Sequence, residues 1–247
     1  MSNFIETSVS RRVRNIIDFA VEMVENSVIM GAPGVGKTMA LNAYTSNEVR
    51  IAHLTITKVT ARSMRELLSC LCRQLEISTW GTQSIYELER TLRHYQLGDW
   101  MIIIDEAQML PLDHLRQLLS LSTTDKNGQL RFVFCGNEEV LKQVNTESGA
   151  LGQIARRMKF REDIRSIDDA DSDVLTNSFG VEGLDAYNTM RAIGRRFHAD
   201  GVVSVLRLAR RYAQGETIKQ RHILDVLDVL SQYKPALEAK AKKLRAR

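Results

Sequence analysis

Two short runs in this 247-residue chain carry residue types and spacings that could do chemistry. The first, Gly31-Ala-Pro-Gly-Val-Gly-Lys37-Thr38, satisfies the pattern G-x-x-x-x-G-K-[ST] in full. Gly31, Gly34 and Gly36 let the backbone curl until successive N–H groups point at a phosphate, a turn that side chains would obstruct. A helix opening at about Gly36 would add the positive end of its dipole at the same point. Lys37 would carry a full charge to the β- and γ-phosphates, and the Thr38 hydroxyl would be a ligand for Mg²⁺. The second run, Met101-Ile-Ile-Ile104-Asp105-Glu106, is an apolar stretch ending in two carboxylates. There Asp105 can hold the magnesium through water, and Glu106 can orient and polarise an attacking water.

Both runs need a parallel sheet to bring them together, and the surrounding sequence predicts one. Ser27–Met30 reads as a short buried strand, followed across the glycine turn by a helix over Met39–Tyr44. Arg50–Thr57 alternates as a second strand. Met64, Leu67, Leu68, Leu71 and Leu75 then form one apolar helical stripe, and Ile85, Leu88 and Leu92 another. Trp100–Ile104 is continuously apolar, as a central parallel strand is. His114–Leu121 reads as a helix and Leu130–Cys135 as a further strand. Beyond about residue 165 only helices are predicted: Leu184–Ala199, Val202–Ala213 and Lys219–Leu230, split at Gly201 and Gly215. The expected fold class is α/β. A nucleotide-binding core with a parallel sheet flanked by helices would occupy residues 1–165. A small all-helical lid over 166–233 and a basic tail over 234–247 would follow.

Composition narrows the alternatives. Hydrophobic residues make up 44% and charged residues 26%, which excludes wholesale disorder. No apolar run reaches the ~18–20 residues of a membrane span, and the first residues lack the order of a signal peptide. Three cysteines cannot build a disulfide framework and fit a reducing compartment, so the expected location is the cytoplasm, with no membrane partner. Cys70 and Cys72 diverge by about 200° on a helix and cannot share a metal. Trp80 and Trp100 read as packing residues, and Met23, Met30 and Met39 as parts of apolar stretches. The net charge of +4 permits nucleic-acid binding, and six Lys or Arg residues between Lys234 and Arg247 against one Glu make the tail a solvated helix or a phosphate-contacting arm.

A small GTPase would place Gly three residues after the strand-end Asp, where Gln108 stands, and would need a guanine-reading Asn/Thr-Lys-x-Asp that is missing. The run Asp105-Glu-Ala-Gln108 is shared with helicases, but those need two such cores, and this chain has room for one. With these excluded, the phosphate loop and the Asp-Glu-Ala-Gln run resemble the AAA+ ATPases. Within them they are similar to the DNA-transposition ATPases of the Mu B, TnsC and TniB type, over roughly residues 10 to 230.

That resemblance implies an ATP- and Mg²⁺-dependent ATPase that regulates transposition. It would assemble on duplex DNA into a ring or helical filament and recruit a transposase. The ATP-binding set would be Gly31, Ala32, Pro33, Gly34, Val35, Gly36, Lys37, Thr38 and Met39. Glu106 and Lys37 would be catalytic, with Asn137, after strand Arg131–Cys135, as the sensor touching the γ-phosphate or the water. Arg156 or Arg157 would be the arginine finger for a neighbouring subunit; the two point different ways on a helix, so at most one serves. The resembled ATPases often carry Gly-x-x-Arg at the last helical segment, whereas Gly201-Val-Val-Ser204 has Ser there. The second sensor is therefore missing or supplied by Arg207. Relatives usually carry an N-terminal DNA-binding extension, but only about 25 residues precede the loop. DNA contact would then fall to the tail or to Lys58, Thr60, Arg62 and Arg65, whose charges and hydroxyls suit backbone contacts. The same segment also reads as a solvated loop in which Ser63 caps a helix. Helicase loaders and replication initiators share the core. So do secretion-associated ATPases of the ExeA type, which commonly have membrane or peptidoglycan-binding segments, and none is visible here.

Overall fold

The computed structural model describes residues 4–46, 50–94, 100–122, 130–142 and 157–236. The chain forms two compact units. One runs over 12–31 and 38–163. The other gathers the N-terminal residues up to 11, the loop 32–37 and the chain from 164 onward.

The larger unit is built on a sheet in the order β2-β3-β4-β1-β5, with β1 at Asn26–Gly31, β2 at Ile51–Thr55, β3 at Trp100–Asp105, β4 at Leu130–Gly136 and β5 at Met158–Ile164. The pairs β1/β4, β3/β4 and β2/β3 are parallel, with Ile29 opposite Cys135, Ile103 opposite Val133 and Leu54 opposite Ile104. Every residue of β1 and β4 is buried, as in central parallel strands, and the Arg131 guanidinium on β4 is satisfied by the carbonyls of Val24 and Ser122. Phe132 and Phe134 stack within the core that α3 (Met64–Gln74), α4 (Ile85–His94) and α5 (Leu112–Leu121) cover. Ser63 caps α3 by accepting from the Glu66 N–H, as its sequence position predicts.

Two further elements complete this unit. Helix α1 (Ser8–Glu22) presents Val13, Ile16, Ile17 and Ala20 as its buried stripe. Strand β5 is charge-rich (Met-Lys-Phe-Arg-Glu-Asp-Ile), as an edge strand is, and reads poorly as a strand for that reason. Side chains fasten it to its surroundings: Arg12 pairs with Glu162, Lys159 with Glu25, and Phe19 stacks on Phe160. Some packing expectations also change. Trp80 is 79% exposed, and Met23 and Met39 are mostly exposed, whereas Trp100 and Met30 do join the core. Ile85 stands at the outer edge of the α4 stripe while Leu88 and Leu92 are buried. Cys72 is buried, and burial pushes its thiol up to about 11, in keeping with an inert core cysteine.

The smaller unit is helical: α7 (Asp169–Ser178), α8 (Leu184–Tyr212) and α9 (Gln220–Val229). Asp168 caps α7 in a reciprocal box with Asp171, and the Arg191–Asp173 and Arg195–Asp169 pairs join α7 to α8. The break within α8 falls at His198 (φ 58°, ψ −159°), not at Gly201 as the sequence suggests. Gly201 is helical, and a Cβ there would lie 2.4 Å from Phe197 Cβ and 3.3 Å from the Tyr233 ring, so close packing is what excludes a side chain. Among the described residues, no helix is long and apolar enough to cross a membrane.

Candidate nucleotide site

Parallel pairing puts the carboxyl ends of β1, β4 and β3 along one edge, with β4 between the other two. Such an edge is where open α/β sheets bind ligands. The strand-end acids follow from it. Asp105 is 1% exposed, and its carboxylate is satisfied on both oxygens: Thr38 Oγ1 donates to Oδ2 at 2.7 Å and the Glu106 N–H donates to Oδ1 at 2.9 Å. Thr38, at the start of α2 (Lys37–Thr45), and Asp105, at the end of β3, thus meet as the sequence predicts. His53 on β2 feels the Asp105 charge, but burial outweighs it and lowers the imidazole's pKa, so the neutral form is favoured.

Glu106 adopts the left-handed conformation (φ 57°, ψ 34°), rare for a residue with a Cβ. The turn Ala107–Met109 begins immediately after it, and Gln108 Nε2 donates to Glu106 Oε2 at 2.6 Å. Asn137 follows β4 directly. Its Oδ1 caps α6 (Glu139–Lys142) by accepting from the Glu139 N–H at 2.9 Å, which leaves the amide Nδ2 as its donor end.

The phosphate loop belongs to the other unit, where Ala32 N–H donates to Ile164 O at 3.0 Å. Gly34 (φ 77°) and Gly36 (φ 108°) take the positive angles the motif requires, and Val35 is buried beneath them. Lys37 Nζ reaches back to the Ala32 carbonyl at 3.0 Å, so its ammonium lies over the loop's own backbone. Helix α8 touches the same loop: the Asp200 N–H donates to Gly34 O at 2.9 Å, and a Cβ on Gly34 would stand 3.1 Å from Asp200 Cβ. The kink at His198 carries its imidazole into this neighbourhood, where burial first and the Lys37 charge second lower its pKa. No sequence signal points to His198 or Asp200, because the contact depends on a bend more than 160 residues downstream.

The remaining expected residues are spread more widely. Arg157 precedes β5, and its Nη1 donates to Leu119 O at 3.2 Å; Arg156 and the tail beyond 236 lie outside the described residues. Arg207 is exposed on the second half of α8. Lys58 and Arg62 are exposed, Lys58 two residues before the single turn Thr60–Arg62 and Arg62 at its end, and Val59, which leads into the turn, is 70% exposed. The Thr60 hydroxyl closes that turn by donating to Thr57 O and accepting from the Thr57 N–H. Arg65 spends its guanidinium on the carbonyls of Gly81 and Gln83, where it pins the segment leading to α4.

Oxygen donors suit the ion that the loop motif implies. A Thr hydroxyl beside a buried carboxylate is a hard donor set for Mg²⁺, which usually keeps water and phosphate oxygens in its other positions. Among the described residues no group of three or more His, Cys, Asp or Glu could hold a metal instead.

The sheet order and the loop motif give the fold of a P-loop core of the AAA+ type, and residues 25–144 match the AAA domain family. The fold is also that of the Aeropyrum pernix ORC2 protein (TM-score 0.70, 12% identity, 92% of this chain and 70% of that one). Its sequence is similar to those of Mu B proteins. It is 26% identical over 217 residues to the ATP-dependent target DNA activator B of Escherichia phage D108, and equally to that of Escherichia phage Mu. Each match covers 86% of this chain and 68% of the relative.

Proposed function

We propose that this chain is an ATPase that activates target DNA for transposition, assembling with copies of itself on duplex DNA and recruiting a transposase. The observation that carries the reading is the line from Thr38 through Asp105 to Glu106, which sets a hydroxyl, a buried carboxylate and a second carboxylate in sequence at one strand end. The names of the Mu B relatives, activators of target DNA that depend on ATP, support the biological role.

The residues divide the work as follows. Backbone N–H groups of the loop between Gly31 and Gly36 cradle the phosphates, and Lys37 leaves the Ala32 carbonyl to meet the β- and γ-oxygens. Thr38 and Asp105 would hold Mg²⁺, which when bound would neutralise charge gathering on the phosphate oxygens. Glu106 accepts the proton of the attacking water on Oε1 while Oε2 is held by Gln108. Asn137 Nδ2 donates to the water or the γ-phosphate. Arg156 or Arg157 of a neighbouring copy completes the charge neutralisation, so that the triphosphate joins subunits and its hydrolysis loosens them. Arg207, well along α8, is the candidate for the second sensor.

For DNA, the structure-guided choice within the basic segment is Lys58 and Arg62. Thr60 and Arg65 have their polar groups engaged in the protein, so reversing Arg65 would disturb the fold as well as the charge. The double variant Lys58→Glu/Arg62→Glu is expected to weaken ATP-dependent duplex binding by about 10- to 100-fold and to reduce the salt slope by about two, one for each phosphate no longer neutralised. Fluorescence anisotropy across a salt series checks this. Unchanged affinity and slope would remove the segment from the DNA interface.

A further inference from the structure

Gln108 has two ends, and both are used. Its Nε2 donates to Glu106 Oε2 at 2.6 Å, and its Oε1 accepts from the Asn137 N–H at 3.2 Å. One planar amide therefore joins the residue after β3 to the residue after β4. A second observation shows that the chain keeps room for it. A Cβ on Gly136, whose backbone φ is ordinary, would stand 2.2 Å from Gln108 Oε1 and 2.6 Å from Val140 Cγ2. Gly136 is thus small because Gln108 passes over it. A third is the left-handed backbone of Glu106, a conformation that persists only when its surroundings hold it.

The geometry points to Gln108 as the positioning residue for Glu106. The Glu106 main chain is fixed through its N–H to Asp105 Oδ1, and its side chain through Gln108. One carboxylate oxygen is thereby immobilised and the other left for the water. The side chain must offer a donor to the carboxylate and an acceptor to the Asn137 peptide at the same time. A carboxamide on a two-carbon stem supplies both; Glu lacks the donor and Met lacks both groups. The bridge also ties Glu106 to the loop that carries Asn137, so a shift of the sensor residue and a shift of the base are mechanically linked through one side chain. The inference rests on the proposed role of Glu106 as the base.

The test measures steady-state ATP turnover of the full chain with Mg²⁺ and duplex DNA, comparing Gln108→Met, Gln108→Glu and Glu106→Gln with the unaltered protein. Gln108→Met keeps length and volume, so a residue that only filled space would leave kcat intact. Positioning instead requires kcat to fall by about 10- to 100-fold while KM for ATP stays within about twofold, since a misplaced group loses rate rather than binding. Gln108→Glu, which retains the acceptor for Asn137 and loses the donor for Glu106, is expected to show the same split. Gly136→Ala, whose methyl group would displace the amide, is expected to reproduce it; adding Gly136→Ala to Gln108→Met should then cost little more. Turnover within twofold of normal in both Gln108 variants, alongside an inactive Glu106→Gln, would overturn this inference alone. Normal turnover in Glu106→Gln would overturn the reading of Glu106 itself. If Gln108→Met melts well below the parent in a thermal scan, Gln108→Asn, which withdraws the amide by one methylene, reads the same split.

Discussion

Glu106→Gln is expected to bind ATP with affinity within about threefold of the parent and to hydrolyse it about 10²- to 10⁴-fold more slowly, the usual contribution of a general base. The substitution is well suited to isolate the chemistry. The new amide keeps an oxygen that can accept from Gln108 Nε2, and the backbone N–H still donates to Asp105, so the left-handed turn stays anchored. What disappears is the basic oxygen facing the water. If hydrolysis loosens subunits as proposed, the variant should also stay on duplex DNA longer in ATP than the parent does. Single-turnover hydrolysis and dissociation from labelled duplex measure the two effects. Parent-level turnover would move the base elsewhere.

Lys37→Ala should fail one step earlier. The Lys37 ammonium lies against the Ala32 carbonyl, on a loop whose glycines take positive φ, so it can turn to phosphate oxygens without rebuilding the backbone. Losing charge-assisted hydrogen bonds to two phosphates costs about 2–4 kcal/mol, or roughly 30- to 1,000-fold in ATP affinity. The side chain is only half-buried and is not part of the core, so thermal stability without nucleotide should change little. Titration calorimetry with ATP gives the affinity directly. The two variants then separate the steps: Glu106→Gln holds DNA and Lys37→Ala does not acquire it. If Lys37→Ala bound DNA as the parent does in ATP, the triphosphate would have no part in joining subunits.

Much of this is legible in the chain because the relevant signals are local. The glycine spacing of the loop, the apolar run of β3 ending in Asp105-Glu106, and the helical stripe of α3 each depend on near neighbours along the sequence. Features that depend on distant partners are less readable. Strand β5 carries edge-strand charges whose logic appears only once Arg12 and Glu25 lie beside it. The bend in α8 sits at His198, a residue without the composition of a breaker, while the nearby Gly201 is small for packing rather than for flexibility. In the sequence Gln108 serves to exclude a GTPase and to complete the Asp-Glu-Ala-Gln run; its contact with the Asn137 N–H needs the end of β4 to arrive beside it. Arg65 carries the right charge for DNA, yet two carbonyls some sixteen residues away claim its guanidinium.

In the proposed function, a bound triphosphate holds copies of this chain together on DNA. Electron microscopy of the protein mixed with duplex DNA, in ATP with Mg²⁺ and in ADP with Mg²⁺, tests it most directly. Rings or continuous coats on the duplex in ATP, absent in ADP, are the expected result. Separate monomers in ATP, with nucleotide and duplex both in excess, would contradict it.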